Sequence, residues 1–346
     1  MITADPTLAS KLRAYQESRR RGIEFLLGQM NPDGSIGPVD QGLFYYRVPW
    51  ALTLGGETGA AMRVGEWIRR HMLTPEGEVA GSASPNAGAN RGANTYAETC
   101  LAYGAQLLRQ YDLAGRAMRF ALRFQDPVTG GVYQDRERTG PDDPQILYLT
   151  CQLGMSALLT GARAEAEAAG HFLKRLWAAQ PELPERLYTI YTRAGGLATE
   201  VPPGADRRHY VNESQDVQQM HYNGGMAAAF LTRLHLATDD AGWLDLARQY
   251  QAFSMSSTPR QFETKQVCKS AWGGGLLYAA TGEPIYRDWA IRMGDWFVAE
   301  QFADGHWENS KYIDPNPPLH RNIAITAEFV VHMDTVASAL ATAQVD

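Results

Sequence analysis

Cysteine is scarce in this 346-residue sequence, with Cys100, Cys151 and Cys268 the only three. Three thiols cannot all pair within one chain, none stands in a Cys-x-x-Cys arrangement, and each falls on a different apolar segment. Buried, reduced thiols are the simplest reading, and with them a cytoplasmic location. A zinc site assembled across helices from a cysteine and nearby His or Asp residues is the alternative. No Gly-x-x-x-x-Gly-Lys phosphate loop occurs, so no nucleotide cofactor is expected. Positive charge is not in excess either: 32 Lys and Arg face 38 Asp and Glu, for a formal charge of −6. That balance argues against nucleic acid, whose phosphates demand clustered cations. The one dense basic run, Arg19-Arg20-Arg21, reads as the solvated face of a helix. Neither a signal-peptide pattern over 1–6 nor an apolar run of membrane-spanning length is evident. The partner these absences leave is a small molecule, with homo-oligomerisation open.

What is present is a repeat. Amphipathic segments at 8–30, 57–73, 112–125, 162–179, 240–256 and 284–301 are each followed by a polar loop. A more apolar segment comes next, at 43–55, 94–109, 145–160, 214–236, 265–280 and 321–341. One helix pair cannot bury its apolar face alone, so a period of about fifty residues predicts stacked pairs. The second-type segments are apolar on most of their circumference and carry glycines, among them Gly104, Gly154, Gly225 and Gly273-Gly274-Gly275. Such helices belong inside, where backbones approach closely. Six inner helices ringed by six outer ones predict an all-α, closed (α/α)6 toroid. No Gly/Ser or charged linker interrupts the array, so residues 1–346 read as one domain.

Several outer helices end in a related turn. The first copy reads Gln29-Met30-Asn31-Pro32-Asp33-Gly34-Ser35, and echoes stand at Thr74-Pro75-Glu76-Gly77, at Gln125 to Gly131 and at Gln301 to Trp307. This motif resembles the repeat of the terpenoid cyclase and protein prenyltransferase superfamily, whose members are α/α toroids. The resemblance implies that fold. It does not extend to the family's catalytic signatures. The Asp-x-Asp-Asp run with which class II cyclases protonate their substrates is absent, Asp142-Asp143 and Asp239-Asp240 being only pairs. Also absent are the Asp-Asp-x-x-Asp metal motif of class I cyclases and the Asp-x-Cys zinc pair of prenyltransferases. Magnesium-dependent ionisation of a diphosphate is therefore not expected, and no metal is assigned.

Chemistry is expected at the mouth of the toroid, where the longer loops from outer to inner helices gather. Asp40, Phe44, Tyr45, Tyr46, Arg47 and Trp50 combine an acid, a base and aromatic rings at the first inner helix. Tyr96 and Glu98 open the second, and burial would make Glu98 an acid; Tyr148 opens the third. The run from His209 and Tyr210 through Asp216, Gln218, His221 and Tyr222 is the richest. Read as helical from 214, it places Asp216, Gln219 and Tyr222 on adjacent faces and lets His221 pair with a carboxylate as an acid/base group. Lys265, Cys268 and Lys269 head the fifth inner helix. Trp307 and His320 flank a proline-stiffened loop suited to covering a pocket, and Glu328 and His332 lie one turn apart on the last helix. Tyr46, Glu98, Asp216, His221 and Cys268 are expected to converge as catalytic groups.

Two kinds of enzyme fit this inventory. One is an isomerase, lyase or cyclase that moves protons on an apolar, isoprenoid-like or polyene substrate. The other acts on carbohydrate as an epimerase, lyase or hydrolase. A non-catalytic binding toroid is the third reading.

Overall fold

In the computed structural model, which describes residues 6–38, 45–80, 94–308 and 316–342, the outer segments pack chiefly on the inner segments that precede them around the ring. Twelve α-helices lie among the described residues. The outer ones are α1 (Pro6–Gly28), α3 (Thr58–His71), α5 (Tyr111–Leu122), α7 (Arg163–Ala178), α9 (Ala241–Ser256) and α11 (Pro284–Ala299). The inner ones are α2 (Val48–Leu54), α4 (Tyr96–Leu107), α6 (Leu147–Thr160), α8 (Tyr222–Thr238), α10 (Lys269–Thr281) and α12 (Leu319–Thr342). Each inner helix packs on the next, from α2 to α4, α6, α8, α10 and α12, and α12 packs back on α2. The first helix α1 lies against both α12 and α11. The ring is therefore closed, and the fold is the (α/α)6 toroid.

The recurrent turn explains how neighbouring outer helices are held. Gly34, Gly77, Gly130 and Gly305 all have positive φ, between 75° and 100°. A Cβ on each would fall within 2.1–2.8 Å of a backbone carbonyl oxygen on the next outer helix: Arg63, Arg116, Ala168 and, for Gly305, Arg21 of α1. Only glycine allows both the turn and that approach. Gln301 donates from Nε2 to the carbonyls of Ser18 and Gly305 at 2.8 Å each, so the last turn fastens α1 as Gln125 fastens α7. These bonds satisfy backbone carbonyls as well as joining helices.

Close backbone approach also sets the inner ring. A Cβ on Gly225 would lie 2.4 Å from the Lys269 carbonyl oxygen, and one on Gly273 would lie 2.6 Å from that of Gly225. The start of α10 is thereby drawn against the start of α8, which brings Lys269 beside Tyr222.

Three expectations need correction. The segment 214–221 is not helical, and α8 begins at Tyr222. The preceding residues form β5 (Val211–Glu213), which pairs with β2 (Arg186–Tyr188), and then an Asx turn in which Asp216 accepts from the Gln218 amide at 3.0 Å. Local side-chain bonds of this kind compete with helix formation. The fifth inner helix likewise begins at Lys269, after a 3-10 turn over Lys265–Val267. Finally, α12 is long and apolar enough to cross a membrane, although its most apolar window is 83% buried by the surrounding helices. The remaining strands are β1 (Gln145–Ile146), β3 (Ile190–Thr192) and β4 (Gly196–Leu197), which form a small antiparallel sheet leading into α6.

Candidate active site

Four of the inner helices, α4, α6, α8 and α10, present their first turns to one cavity. Tyr96 is the first residue of α4, Tyr148 the second of α6, Tyr222 the first of α8 and Lys269 the first of α10. These four, with Arg47 just before α2 and Glu328 of α12, line a space of about 210 Å³. Lys265, Gln266, Cys268 and Ile325 complete its wall. Its floor is a narrow recess bounded by Trp50, Gln152, Trp272, Val331 and His332. Repetition has thus put equivalent residues of successive helix pairs around a common centre.

The tyrosines form an arc of edge-on contacts. Tyr46 meets Tyr96 at 6.2 Å between centroids, Tyr96 meets Tyr148 at 5.7 Å, and Tyr148 meets Tyr222 at 5.9 Å. Edge-to-face packing is the favoured arrangement for such rings. The arc ends on a cation at each side: the Lys269 ammonium lies 4.7 Å from the Tyr222 centroid and the Arg47 guanidinium 5.0 Å from that of Tyr96. Arg47 also donates to the Tyr96 hydroxyl oxygen at 2.8 Å, which leaves the phenolic proton free to point elsewhere.

Glu328 joins the two cations. One of its oxygens lies 2.8 Å from Arg47 Nη1 and the other accepts from Lys269 Nζ. Burial alone would raise its pKa, but Arg47 and Lys269 override that and hold it well below the ordinary carboxylate range. His332 stands one turn on, its Nε2 3.5 Å from Glu328, and burial pushes its pKa down to about 4, so the ring is neutral at pH 7. Cys268 Sγ is 4.0 Å from Glu328, and burial raises the thiol to about 12, which makes it a poor nucleophile. Lys265 is neutralised at the rim by Glu300.

Among the described lining residues, then, Arg47 and Lys269 face a single carboxylate, and one positive charge is left uncompensated. The N-terminal ends of α4, α6, α8 and α10 add their partial positive charge. Cys268, Glu328 and His332 offer atoms within 4.8 Å of one another, a spacing suited to a metal. The Glu328 oxygens are already engaged by two cations, which would repel a third, so the donor set does not fit a metal ion.

The residues expected from sequence are only partly brought together. Arg47, Tyr96, Tyr148, Tyr222, Lys265 and Cys268 line the cavity, Trp50 floors it, and Tyr46 packs edge-on against Tyr96 with its phenol pushed up to about 12 by burial. Glu98 faces elsewhere: it accepts from the Val79 amide at 2.9 Å and lies 3.5 Å from Arg136. Asp216 is engaged by Gln218 and Gln219 in its own turn, and His221 contacts the Val217 carbonyl oxygen at 3.3 Å. His209 and Tyr210 border a separate polar groove of about 320 Å³ with Arg138 and Asp206. Tyr45 donates to the Ile36 carbonyl and packs on Trp67, while Trp307 is buried against Phe329 and donates to the Phe297 carbonyl at 2.8 Å. His320 sits on the first turn of α12, outside the cavity wall. Asp40 and Phe44 lie outside the described residues. Lys269, Glu328 and His332 carry more of the cavity than the sequence pattern implies, and their signal in the sequence is that they are charged or polar groups on helices otherwise built of apolar residues.

Solved structures of low identity share the architecture. A D-mannose isomerase superposes with a TM-score of 0.65 at 12% identity, over 96% of this chain and 97% of that one. A family 76 glycoside hydrolase from a bovine Bacteroides thetaiotaomicron strain gives 0.62 at 13%, over 92% and 77%. A type II terpene cyclase from Scytonema, in complex with its substrate geranylgeranyl dihydroxybenzoate, gives 0.60 at 15%, over 96% and 99%. No family model and no curated sequence matches the chain. The protein is therefore defined as an α/α toroid, of a fold class that houses isomerase, hydrolase and cyclase chemistry.

Proposed function

We propose that this protein is an enzyme that moves protons within the central cavity, an isomerase or lyase whose reaction passes through developing negative charge. The observation that carries this reading is the pairing of one buried carboxylate, Glu328, with two buried cations, Arg47 and Lys269. Preorganised positive charge in a desolvated site stabilises an enolate-like oxyanion and penalises a carbocation. Protonating an alkene needs a strong acid, and the described lining residues offer none: Glu328 is held ionised, His332 is neutral, and burial pushes the Tyr148 and Tyr222 phenols above their usual range. Glycoside hydrolysis by paired carboxylates needs a second acid within about 5–9 Å, and Glu328 is the only carboxylate among the described lining residues. Cyclisation of a polyene and two-carboxylate hydrolysis thus fit the geometry less well than proton abstraction beside a carbonyl. Glu328, with His332 behind it, would take the proton; the Tyr96 hydroxyl, oriented by Arg47, would donate to the developing oxyanion.

A panel of aldoses, ketoses, keto acids and neutral polyenes incubated in heavy water and read by NMR tests the proposal. Exchange at a carbon next to a carbonyl, lost in Glu328→Gln, is expected. Cyclisation of a polyene with uptake of solvent deuterium would overturn it.

A further inference from the structure

The uncompensated charge has a second consequence, which concerns the substrate before it reacts. Two buried cations that share one carboxylate are incompletely neutralised, and Glu328 is the one carboxylate among the described lining residues that serves Arg47 and Lys269. From this juxtaposition, resting on the reading of the cavity as an active site, we propose that the substrate is an anion of carboxylate type whose charged group seats between Arg47 and Lys269 and shares them with Glu328.

Three features support that seat. The ammonium of Lys269 and the guanidinium of Arg47 are both fixed, the first over Tyr222 and the second over Tyr46 and Tyr96. Their positions need no rearrangement beyond partial release of Glu328. A guanidinium fork also matches a carboxylate in geometry as well as charge. The first turns of four inner helices of twelve residues or more point at the same space, and their partial positive charge favours an anion there. Finally, the wall beyond the cations is made of ring faces and edges from Tyr96, Tyr148 and Tyr222, which suits a planar or unsaturated body attached to the anionic group. Seating the anion also gives Glu328 a competitor for its cations. It becomes more basic once substrate is in place, so that a group too acidic to act in the empty cavity is turned into a proton acceptor by the substrate itself.

Calorimetric titration of the intact protein with benzoate, acetate and 2-naphthoate, each beside its neutral amide, tests the inference without relying on turnover. At least one carboxylate should bind, and its amide should bind about tenfold more weakly or less. Lys269→Met should lose that binding and Lys269→Arg should retain it, the latter answering for any failure of the first variant to fold. Glu328→Gln, which removes the competing carboxylate, should bind the same probe more tightly than the native protein, although the proposed function requires it to be inactive. Equal affinity for acid and amide, weaker binding by Glu328→Gln, or no response to any of the three carboxylates would overturn the inference. Carboxylate binding with this pattern but without proton exchange on any substrate would instead sink the proposed function alone.

Discussion

Two glutamates on inner helices are almost equally hidden from water, and their surroundings treat them oppositely. Glu98 on α4 is 1% exposed, accepts from one backbone amide and has a single guanidinium at 3.5 Å; burial pushes its pKa up to about 7. Glu328 on α12 is 6% exposed but lies against Arg47 and Lys269, which keep it ionised far below neutrality. Burial alone therefore does not make an acid. What decides the protonation state is how many fixed cations share the space, and in this toroid they sit at the centre of the ring rather than at its edge.

The comparison is broken most severely by removing the anion from the central cluster. Glu328→Ala leaves two buried cations facing each other and should cost about 3–5 kcal/mol of stability, measured by denaturant unfolding. The equivalent change at Glu98 removes a carboxylate that is half protonated near neutrality and whose Arg136 partner still holds Glu78 at 2.8 Å, so it should cost far less.

A pH series sharpens the contrast through its sign. Because the folded pKa of Glu98 is raised from 4.5 to about 7, the folded state binds more protons in that interval, and stability should fall as pH rises through it. The full shift corresponds to at most about 3 kcal/mol. Glu98→Gln should flatten this slope. Glu328 works the other way: its depressed pKa contributes stability above the ordinary carboxylate range that is lost only as pH drops through its folded value, on the acid side of the Glu98 effect.

Architecture can be separated from charge at the ring closure. Gly305→Ala places a Cβ at positive φ and against the Arg21 carbonyl, and should destabilise the fold by about 1–3 kcal/mol while leaving the ionisation of Glu328 untouched. The smallest effect is expected at His221. Its partner is its own turn and it lines neither cavity nor floor, so His221→Ala should change turnover by less than about tenfold, the lower end of a general acid/base contribution being nearer a hundredfold.

The ring was legible in the sequence because stacking repeats leave a periodic signature. The apolar segments, the turn glycines and Gln125 and Gln301 recur at matching places, and each recurrence has a packing reason. The tyrosines of the mouth were legible for the same reason, since Tyr96, Tyr148 and Tyr222 occupy equivalent first-turn positions. Other parts of the site were not. Asp216 and His221 looked helical because their spacing suits a helix, and only the long-range pairing of β5 with β2 diverts them. Glu98 opens α4 just as Tyr96 does, but the next residues around the turn point to different sides, one to the cavity and one to the loop around Val79. Glu328 lies ten positions along the longest inner helix. Its meeting with Arg47 depends on α12 packing back on α2, a contact between opposite ends of the chain that no local pattern encodes.

The central claim is that the cavity holds an ionised carboxylate between two cations while Glu98, a buried acid pushed up to about 7, lies outside it. NMR titration of the protein labelled with 13C at the glutamate carboxyl carbons, assigned with Glu98→Gln and Glu328→Gln, measures this directly. The account predicts that Glu98 titrates near pH 7 and that Glu328 stays ionised down to the acid limit of the folded state. A Glu328 carboxyl that is protonated at neutral pH would contradict it, and would supply the cavity with the acid that carbocation chemistry requires.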